Sequence, residues 1–303
     1  MILFFGGRIT YCHGGRTLAS SSKTSRKSKR ARTPSDPQPH WSAPDGSVAL
    51  HHGDCLEVMA SLPAESIDVV FADPPYFLSN GGTTCQAGKR VKVDKGKWDR
   101  SRGVEENHAF NRSWLEACRR LLTPNGTIWV SGTSHVIYSV GFAMQQLGFK
   151  MLNEIVWEKP NPPPNLSCRY FTHSTETVLW AARDRKSKHH FEYARMREEN
   201  GGKQMKTVWR MTAPGKAEKQ HGKHPTQKPL ALLRRILDAS CPEGGRVLDP
   251  FNGSGTTAVA AVRAEREYVG IERDETYVEL TRARLLDERP DWADKRAHLR
   301  AVG

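Results

Sequence analysis

The sequence of 303 residues contains no apolar run long enough to cross a membrane. Its six cysteines are scattered, and none forms a CxxC pair or a Cys/His cluster with the spacing of a zinc site. A short apolar stretch at residues 2–5 is interrupted by two glycines and Arg8, which argues against a signal peptide. We therefore expect a cytoplasmic protein with reduced thiols, no metal and no membrane partner.

Acidic residues are scarce in two segments, and these segments account for the net charge of +13. Residues 1–45 contain eight Lys/Arg and two Asp, and residues 183–223 contain twelve Lys/Arg and five Asp/Glu. Positive charge concentrated in this way indicates contact with a polyanion. A solvated basic surface without a partner is the alternative.

Low complexity separates the first segment from the rest of the chain. Residues 1–45 are rich in Ser, Lys and Arg, and bury too little apolar surface to offset the entropy of ordering, so we predict a disordered basic tail. Residues 46–303 alternate between short Val/Ile-rich runs and amphipathic stretches. This alternation predicts an α/β domain with a mixed, mostly parallel seven-stranded sheet and helices on both faces. The predicted strands are 48–51, 67–72, 127–131, 153–158, 177–182, 246–248 and 267–271. The predicted helices are 56–61, 106–122, 135–147, 229–240, 256–264 and 274–287.

Two segments interrupt the alternation of strands and helices. Residues 78–104 are polar and rich in Gly and Lys, and residues 183–223 are basic with interspersed aromatics. Long loops in compact domains are commonly functional or disordered. We therefore expect a flexible loop over residues 78–104 and a binding insert over residues 183–223, although the insert could be a surface excursion without a role.

A glycine-rich turn follows the predicted strand that ends at Asp249. Residues 252–255 (Asn-Gly-Ser-Gly) lead from this strand into a helix that opens at Thr256. Glycines allow the backbone to approach a ligand closely, and a helix N-terminus favours a negative group. Glu272 ends the next strand, where an acid can accept hydrogen bonds from ribose hydroxyls. The spacing does not fit GxxxxGK[ST], so the turn predicts a nucleoside site of another kind, with an ordinary strand-to-helix turn as the alternative.

A second loop, residues 73–76 (Asp-Pro-Pro-Tyr), directly follows a hydrophobic strand. Its two prolines fix the backbone and remove two N–H donors, so the carboxylate of Asp73 and the nearby carbonyls are acceptors without competing donors. This arrangement suits an exocyclic amino group, whose hydrogens are accepted while its lone pair is drawn out of the ring. Tyr76 can stack on the base. A rigid turn without catalytic function is the alternative.

Together the two loops resemble those of the DNA amino-methyltransferases. The order, with the Asp-Pro-Pro-Tyr loop first and the glycine loop last, is similar to the β-class, and residues 72–80 (ADPPYFLSN) resemble the MboII-type adenine-N6 subgroup. The resemblance covers roughly residues 47–285. It implies a Rossmann-like fold that uses S-adenosylmethionine without a metal, with a methyltransferase catalytic domain over residues 46–303. It also implies that the insert, residues 183–223, recognises the target.

The resemblance also assigns individual residues. Residues 224–229 (HPTQKP) match the segment that precedes the donor strand, which implies that Thr226 and Lys228 hold the methionine end of the donor. Residues 53–56 (GDCL) match a segment whose acid contacts the donor's adenine, although a helix cap is the alternative for Asp54. The donor-binding residues expected are Asp54, Ala72, Asp73, Thr226, Lys228, Asp249, Phe251, Asn252, Gly253, Ser254, Gly255 and Glu272. The catalytic residues expected are Asp73, Pro74, Pro75 and Tyr76. The DNA-binding residues expected are Lys89, Arg90, Arg183, Arg185, Lys186, Arg195, Arg197, Lys203 and Arg210.

These observations predict a site-specific DNA methyltransferase that modifies the N6 amino group of adenine in duplex DNA. The adenine would leave the duplex and enter a pocket beside Tyr76, where N6 would attack the methyl group in line. No Pro-Cys dipeptide occurs, which disfavours methylation of cytosine C5. Cytosine-N4 methylation is the nearest alternative, although the resemblance there would imply Ser in place of Asp73.

A non-catalytic DNA-binding protein with a degenerate methyltransferase fold is an alternative of a different class. Four intact residues argue against it, namely Asp73, Tyr76, Asp249 and Glu272. The resemblance is compatible with a cognate restriction endonuclease and with a homodimer as partners. It also implies a nucleoid-associated location.

Overall fold

The computed structural model describes residues 38–79, 83–86, 89–92 and 99–293. All of these belong to one compact unit, residues 35–303. The strands are β1 (Trp41–Ser42), β2 (Val48–His52), β3 (Ile67–Ala72), β4 (Thr83–Gln86), β5 (Lys89–Lys92), β6 (Leu122–Gly132), β7 (Lys150–Glu158), β8 (Thr175–Ala182), β9 (Val208–Arg210), β10 (Arg246–Asp249) and β11 (Glu267–Glu272). The helices are α1 (Cys55–Ser61), α2 (Val104–Leu121), α3 (Ile137–Gln146), α4 (Tyr193–Glu199), α5 (Leu230–Ser240), α6 (Thr256–Arg263) and α7 (Glu275–Glu288).

The main sheet has the strand order β1-β2-β11-β10-β3-β6-β8-β7-β9. Five of its eight neighbouring pairs are parallel, so the predicted mixed, mostly parallel sheet is confirmed. Every predicted strand is present, but the predicted number of seven is wrong because β1 and β9 extend the sheet to nine strands. These two strands contain two and three residues, which is too short for an alternating pattern to show in the sequence.

The predicted disordered tail extends too far toward the domain. Trp41 is paired with Leu50 of β2, and its ring centroid lies 6.0 Å from that of Trp292. Ala43 is buried in the core. These apolar contacts order residues 38–45, which the sequence analysis had grouped with the polar residues before them. The predicted boundary at residue 45 is therefore wrong for residues 38–45. The remainder of the predicted tail, residues 1–37, lies outside the described residues.

Helices cover both faces of the sheet, as predicted, and β3 shows why. Val69 and Phe71 pack into the cluster that contains the apolar residues of α5, α6 and α7. Val70 and Ala72 point to the opposite face and pack with those of α1, α2 and α3. Alternate residues of a strand face opposite sides, so a strand buried on both faces has a nearly continuous apolar run, which in β3 covers residues 69–72. No helix in the described ranges is long and apolar enough to cross a membrane.

The strand order brings together the two loops that are distant in sequence. β10 lies beside β3 in parallel register, with Leu248 opposite Val70. The carboxyl ends of neighbouring parallel strands meet at one edge of the sheet, so the loops that follow them are adjacent. Asp73 and Asp249 therefore lie at neighbouring strand ends.

Both predicted interruptions contain regular structure. β4 and β5 form an antiparallel hairpin within residues 78–104, and α2 begins at Val104. Residues 80–82, 87–88 and 93–98 lie outside the described part of the chain, so the predicted flexibility of this loop stays a prediction.

The predicted insert is continuous with the domain instead of projecting from it as a loop. α4 and β9 lie within residues 183–223, and β9 pairs in parallel with β7 of the main sheet. Met196 and Trp209 are buried. These two residues therefore belong to the core, while the exposed side chains of the segment remain available for recognition, among them the aromatic Phe191 and Tyr193.

Candidate active site

A cavity of about 1160 Å³ lies at the carboxyl edge of strands β2, β3, β10 and β11. Crevices at the carboxyl ends of parallel strands are the usual ligand sites of open α/β sheets. All four predicted catalytic residues and ten of the twelve predicted donor-binding residues line it. The ten donor-binding residues are Asp54, Asp73, Thr226, Lys228, Asp249, Phe251, Asn252, Gly253, Ser254 and Glu272.

Two predicted donor-binding residues are not part of the cavity wall, and a third has its side chain engaged elsewhere. Ala72 is buried in the core. Gly255 has φ 73°, and a Cβ there would lie 2.4 Å from Thr281 Cγ2, so this glycine permits the packing of α6 against α7. The side-chain amide of Asn252 donates to Thr281 Oγ1 at 2.8 Å and accepts from the Tyr268 hydroxyl at 2.8 Å. Gly255 and Asn252 thus shape the glycine loop from within, and Ala72 belongs to the core at the end of β3.

Asp249 is a buried carboxylate at the floor of the cavity, with 2% of its surface exposed. It accepts hydrogen bonds from the Thr257 hydroxyl at 2.6 Å and from the backbone N–H of Phe251 at 3.0 Å. Burial raises the pKa of Asp249 to about 7 against the opposing effect of these donors, and the carboxylates of Asp73 and Glu272 act in the same direction as burial. The group therefore changes its charge near neutral pH.

Replacing Asp249 by Asn should remove part of the pH dependence of stability. A folded-state pKa of about 7, against an ordinary value of 3.8, means that the folded protein keeps the proton to higher pH than the unfolded chain. Stability is then lost as the pH rises from about 4 through about 7. Between about pH 5 and about pH 8, the free energy of unfolding of the wild type should fall by about 2–3 kcal/mol relative to Asp249→Asn. Urea titrations at both pH values measure this difference.

The control for this prediction is Asp274→Asn. Asp274 is exposed and caps α7 by accepting from the backbone N–H of Thr276 at 2.9 Å, a role that Asn can fill. Its stability difference from wild type should be the same at both pH values. A pH-independent difference for Asp249→Asn as well would contradict the assigned proton.

The two other acids of the donor side are held by backbone donors. Glu272 accepts from the N–H groups of Gly253, Arg273 and Asp274 at 2.7, 2.8 and 2.9 Å, and burial raises the pKa of Glu272 against these bonds. Asp54 caps α1 by accepting from the N–H of Leu56 at 2.9 Å. The helix-cap alternative for Asp54 is therefore confirmed, while its contact with the donor stays a prediction.

Both carboxylate oxygens of Asp73 are engaged within the protein. Oδ1 accepts from the Tyr76 hydroxyl at 2.6 Å, and Oδ2 accepts from Lys228 Nζ at 2.6 Å. Burial raises the pKa of Asp73, the nearby carboxylate of Glu176 acts in the same direction, and Lys228 opposes them. The predicted catalytic acid and the predicted donor-binding lysine thus form one ion pair in this structure.

The sequence analysis missed Glu176 on β8. With Asp73, Lys228 and Lys159 it forms a charged cluster. Its Oε2 accepts from the Tyr76 hydroxyl at 3.2 Å and lies 3.5 Å from Lys228 Nζ, while its Oε1 contacts Lys159 Nζ. Burial raises the pKa of Glu176, but Lys228 and Lys159 outweigh burial and lower that pKa to about 2. A glutamate that interrupts the otherwise uncharged run 175–182 is the signal that could have found it.

Tyr76 is only 5% exposed. Its hydroxyl also lies 3.3 Å from Ser131 Oγ. The hydroxyl is thus within hydrogen-bond distance of three side-chain oxygens, those of Asp73, Ser131 and Glu176. Burial raises the pKa of Tyr76 well above its ordinary value, and both carboxylates add to this effect. Tyr76 is therefore a neutral hydrogen-bond donor here, and its stacking on a base stays a prediction.

Asp99 is a second functional residue without a signal in the sequence, because it lies inside the polar segment 78–104. Its buried carboxylate accepts from the backbone N–H groups of Tyr76, Phe77 and Leu78 at 2.9, 2.8 and 3.1 Å. Phe77 has φ 58°, a left-handed conformation that costs a residue with a side chain about 1–2 kcal/mol. The Asp99 carboxylate therefore holds the strained turn that follows the catalytic loop.

A smaller cavity of about 270 Å³ lies behind the catalytic loop. Its own lining includes Trp157, Lys159 and Glu176. It shares a wall with the larger cavity, and this wall contains Tyr76 and Lys228. The charged cluster thus separates a large cavity from a small one.

Several of the predicted DNA-binding arginines have intramolecular partners. Arg195 lies 2.8 Å from the buried carboxylate of Asp238, and Arg197 donates to the Gly202 carbonyl at 2.8 Å. Arg183 pairs with a glutamate at 2.7 Å, and Arg210 pairs with another at 3.6 Å. The Arg210 pair is exposed, and such pairs contribute little and exchange readily, so this contact does not remove Arg210 from a DNA-facing role. Arg195 is held more firmly, because its partner carboxylate is buried.

The remaining predicted DNA-binding residues are exposed or lie on the hairpin. Arg185, Lys186 and Lys203 have exposed side chains. Lys89 and Arg90 lie on β5, and their side chains are outside the described structure. Among the described residues, no group of three or more His, Cys, Asp or Glu side chains is placed to hold a metal ion.

The sequence profile of the DNA methylase family matches residues 67–283, which include both loops and the lysine between them. The chain belongs to the DNA methylase family. The Type II methyltransferase M2.DpnII of Streptococcus pneumoniae is 54% identical to the methylase over 242 residues, which cover 80% of this chain and 90% of that protein. The Type II methyltransferase M2.MboI of Moraxella bovis is 46% identical over 253 residues, which cover 84% of this chain and 93% of that protein.

Solved structures agree with this assignment. The M1.HpyAVI–SAM complex is 27% identical to the methylase, with a TM-score of 0.59, and the match covers 78% of this chain and 98% of that chain. The PvuII DNA methyltransferase, which is cytosine-N4-specific, is 20% identical with a TM-score of 0.66, covers 85% of this chain and 92% of that chain, and shares the fold. The methylase is thus a β-class, S-adenosylmethionine-dependent enzyme that methylates DNA, with the Rossmann-like fold that the sequence predicts.

Proposed function

We propose that this methylase transfers the methyl group of S-adenosylmethionine to N6 of adenine in duplex DNA. The observation that carries the proposal is Asp73, a buried carboxylate at the end of β3 that lines the large cavity in front of two prolines. A carboxylate accepts an amino hydrogen and afterwards the proton more strongly than a serine hydroxyl does. The cytosine-N4 alternative needs the same geometry, so the acid is the feature that favours adenine.

The large cavity suits S-adenosylmethionine, which supplies an electrophilic methyl group when it is bound. Glu272 is positioned to accept from ribose hydroxyls, as acids at this place do in nucleoside-binding α/β folds. Lys228 and Thr226 line the same cavity and suit the donor's carboxylate and amino-acid end. Asp54 and Phe251 also line this cavity and are the proposed contacts for the adenine of the donor.

Asp73 has two tasks in the proposed reaction. Its carboxylate accepts a hydrogen of the exocyclic amino group, which orients the nitrogen lone pair toward the methyl group. It then takes the proton that the methylated nitrogen must lose, and burial, which raises the pKa of Asp73, makes it a better proton acceptor. The Pro74 carbonyl is the proposed second acceptor for the amino group.

The small cavity is the proposed pocket for a base that has left the duplex. Its position across the Tyr76–Lys228 wall from the large cavity would bring the base edge next to Asp73. Trp157 and Leu78 provide apolar lining, and Tyr76 forms the shared wall. A bound base would therefore contact apolar faces while its polar edge meets the charged cluster.

Exposed aromatic side chains in the connection between β7 and β8 support contact with DNA. Phe171 is 96% exposed, and Tyr170 is also exposed. The Tyr170 ring lies 5.4 Å from that of His173, which lies 6.4 Å from that of His135. His135 contacts Thr133 of the cavity lining at 3.2 Å. Exposed rings near an extruded base can stack on its unstacked neighbours.

The wider assignments are proposals of the same kind. We propose that residues 183–223 recognise the target and that Arg185, Lys186 and Lys203 contact phosphates, because their side chains are exposed and basic. The Type II naming of the relatives supports a cognate restriction endonuclease as a partner. A homodimer and a nucleoid-associated location remain proposals from the family resemblance.

Nucleoside analysis tests the proposed product. Unmethylated duplex DNA is incubated with the methylase and S-adenosylmethionine, digested to nucleosides and analysed by mass spectrometry. We expect N6-methyladenine as the modified nucleoside, with none in a parallel reaction of Asp73→Ala. N4-methylcytosine would overturn the base assignment. The absence of any methylated nucleoside with donor-loaded enzyme would favour the non-catalytic alternative.

A further inference from the structure

The charged cluster engages both carboxylate oxygens of Asp73. In this structure the Tyr76 hydroxyl donates to Oδ1 and the Lys228 ammonium donates to Oδ2, each at 2.6 Å. Each oxygen keeps a second lone pair, so an arriving amino group would share its acceptor oxygen with one of these donors. A buried donor whose bond to Asp73 weakens in this way needs another acceptor.

Glu176 offers that acceptor to both donors. Its Oε2 lies 3.2 Å from the Tyr76 hydroxyl and 3.5 Å from Lys228 Nζ, so a small rotation of either side chain would shorten the contact. Lys159 holds the other carboxylate oxygen, Oε1, which fixes the orientation of Glu176. Among the described residues, Glu176 is the carboxylate that contacts both donors of Asp73.

The charge balance supports the same exchange. The cluster contains two lysines, Lys228 and Lys159, and two carboxylates, Asp73 and Glu176. Lysine contacts lower the pKa of Glu176 to about 2 against burial, so it stays ionised. If Lys228 left Asp73 without Glu176 nearby, a buried ammonium would lose its counterion. With Glu176 present, Lys228 stays paired throughout.

We propose that Glu176 is a positioning residue that receives the Tyr76 hydroxyl and the Lys228 ammonium when Asp73 turns to the target amino group. The inference rests on the proposed role of Asp73. The exchange moves hydrogen bonds only, because Tyr76 and Lys228 keep their protons. Glu176 thereby acts on the reaction through Asp73 and needs no contact with the reacting atoms.

Glu176→Gln tests the inference because Gln keeps the shape and one acceptor oxygen but loses the charge. We expect kcat to fall about 10- to 100-fold, the range typical of residues that orient a functional group through a hydrogen bond. The dissociation constant of S-adenosylmethionine, measured by calorimetry, should change less than about threefold. Undiminished kcat would mean that the donor's carboxylate alone releases Asp73, and it would overturn the proposal.

The pH profile separates positioning from a merely structural role. The Glu176 carboxylate raises the pKa of Asp73 through repulsion, so its removal should move the acid limb of kcat/KM to lower pH. A structural role would lower activity without moving the limb. A fall in donor affinity and in melting temperature with an unmoved limb would therefore also overturn the proposal.

Two further variants keep the test informative. Lys159→Gln changes a side chain nearer the surface and should lower kcat with donor affinity retained. The double variant Lys159→Gln/Glu176→Gln should be no slower than Glu176→Gln, because Lys159 acts through Glu176; additive losses would contradict this. Glu267→Gln is the matched control, since Glu267 pairs with Arg246 at 3.9 Å on the surface of β11, and it should behave as wild type.

Asp73→Asn, assayed in parallel, distinguishes the two levels of the argument. If Asp73→Asn keeps full turnover, the proposed function of Asp73 fails, and the inference fails with it. If Asp73→Asn is inactive while Glu176→Gln has the wild-type kcat and pH profile, only the inference fails. An inactive Asp73→Asn with a slow, donor-binding Glu176→Gln supports both.

Discussion

Replacing Asp73 by Asn should lower methyl transfer by about 10³-fold or more while S-adenosylmethionine stays bound. Asn has the same shape but turns one acceptor into an NH₂ donor, which would oppose the hydrogens of the target amino group. It also cannot take the proton that the methylated nitrogen must lose. Donor binding should persist, because Asp73 is only one of ten predicted donor-binding residues around the cavity. The measurement is single-turnover transfer of a labelled methyl group to duplex DNA, with donor affinity measured by calorimetry.

The fold should survive the Asp73→Asn change. Lys228 keeps Glu176 as a carboxylate partner at 3.5 Å, so no buried ammonium is left without a counterion. Asp45→Asn is the matched control, because Asp45 is an exposed acid that bonds to nearby Ser47 and lies 4.0 Å from Arg289. Turnover of Asp73→Asn within about tenfold of wild type would contradict its role in catalysis.

Lys228→Met should have the largest effect on stability, about 3–5 kcal/mol at neutral pH. Lys228 is 6% exposed and is the common partner of two buried carboxylates, Asp73 and Glu176. Met fills a similar volume but leaves both acids without this counterion. The free energy of unfolding from urea titrations measures the loss, and donor affinity should fall as well if Lys228 binds the donor's carboxylate.

The deficit of Lys228→Met should depend on pH in a defined direction. Loss of the ammonium raises the folded-state pKa of both Asp73 and Glu176, because Lys228 opposes burial at each of them. For an acid with a raised folded-state pKa, stability is present at low pH and is lost as the pH rises through that pKa. The deficit should therefore be smaller at about pH 5 than at about pH 8.

Two comparisons check the origin of this deficit. Arg234→Met removes a more exposed cation that lies 3.6 Å from Asp238, and it should cost about 1 kcal/mol or less. Lys228→Met/Glu176→Gln should be more stable than Lys228→Met, because it leaves one buried carboxylate without the charge of Lys228 instead of two. A deficit equal at both pH values, or unchanged in the double variant, would contradict the assigned charges.

Periodicity was sufficient to predict most of the fold. Strands such as β3 are largely apolar on both faces, and helices such as α2 carry an apolar stripe. A local pattern in the sequence is therefore enough to predict them. The sequence analysis did not predict β1, β9 and α4, because they are short and derive their stability from the sheet and helix on which they pack. A span of two or three residues has no period, and its order depends on contacts that are distant in sequence.

The site was predictable where strand ends determine it. Loops after parallel strands meet at one edge, so residues such as Asp73, Asp249 and Glu272 could be placed near one another from strand order alone. Glu176 reaches the same point by a different route, because β8 lies antiparallel beside β6. Lys228 was predicted for the donor, and its pairing with Asp73 appears only once the tertiary structure joins them. The order of two loops in sequence carries no information about such a contact.

Asp99 also binds Ser79, the residue that precedes the segment 80–98. The backbone N–H of Ser79 donates to the Asp99 carbonyl at 3.2 Å, and the Ser79 hydroxyl donates to the Asp99 carboxylate at 2.8 Å. Ser79 and Asp99 are therefore held together directly after the catalytic loop, at the two ends of residues 80–98. Doubling the length of the segment between these residues would add only about 0.6 kcal/mol of closure entropy. Insertions or deletions between Ser79 and Asp99 should therefore leave the catalytic turn in place, because Asp99 holds that turn and Ser79 by direct hydrogen bonds.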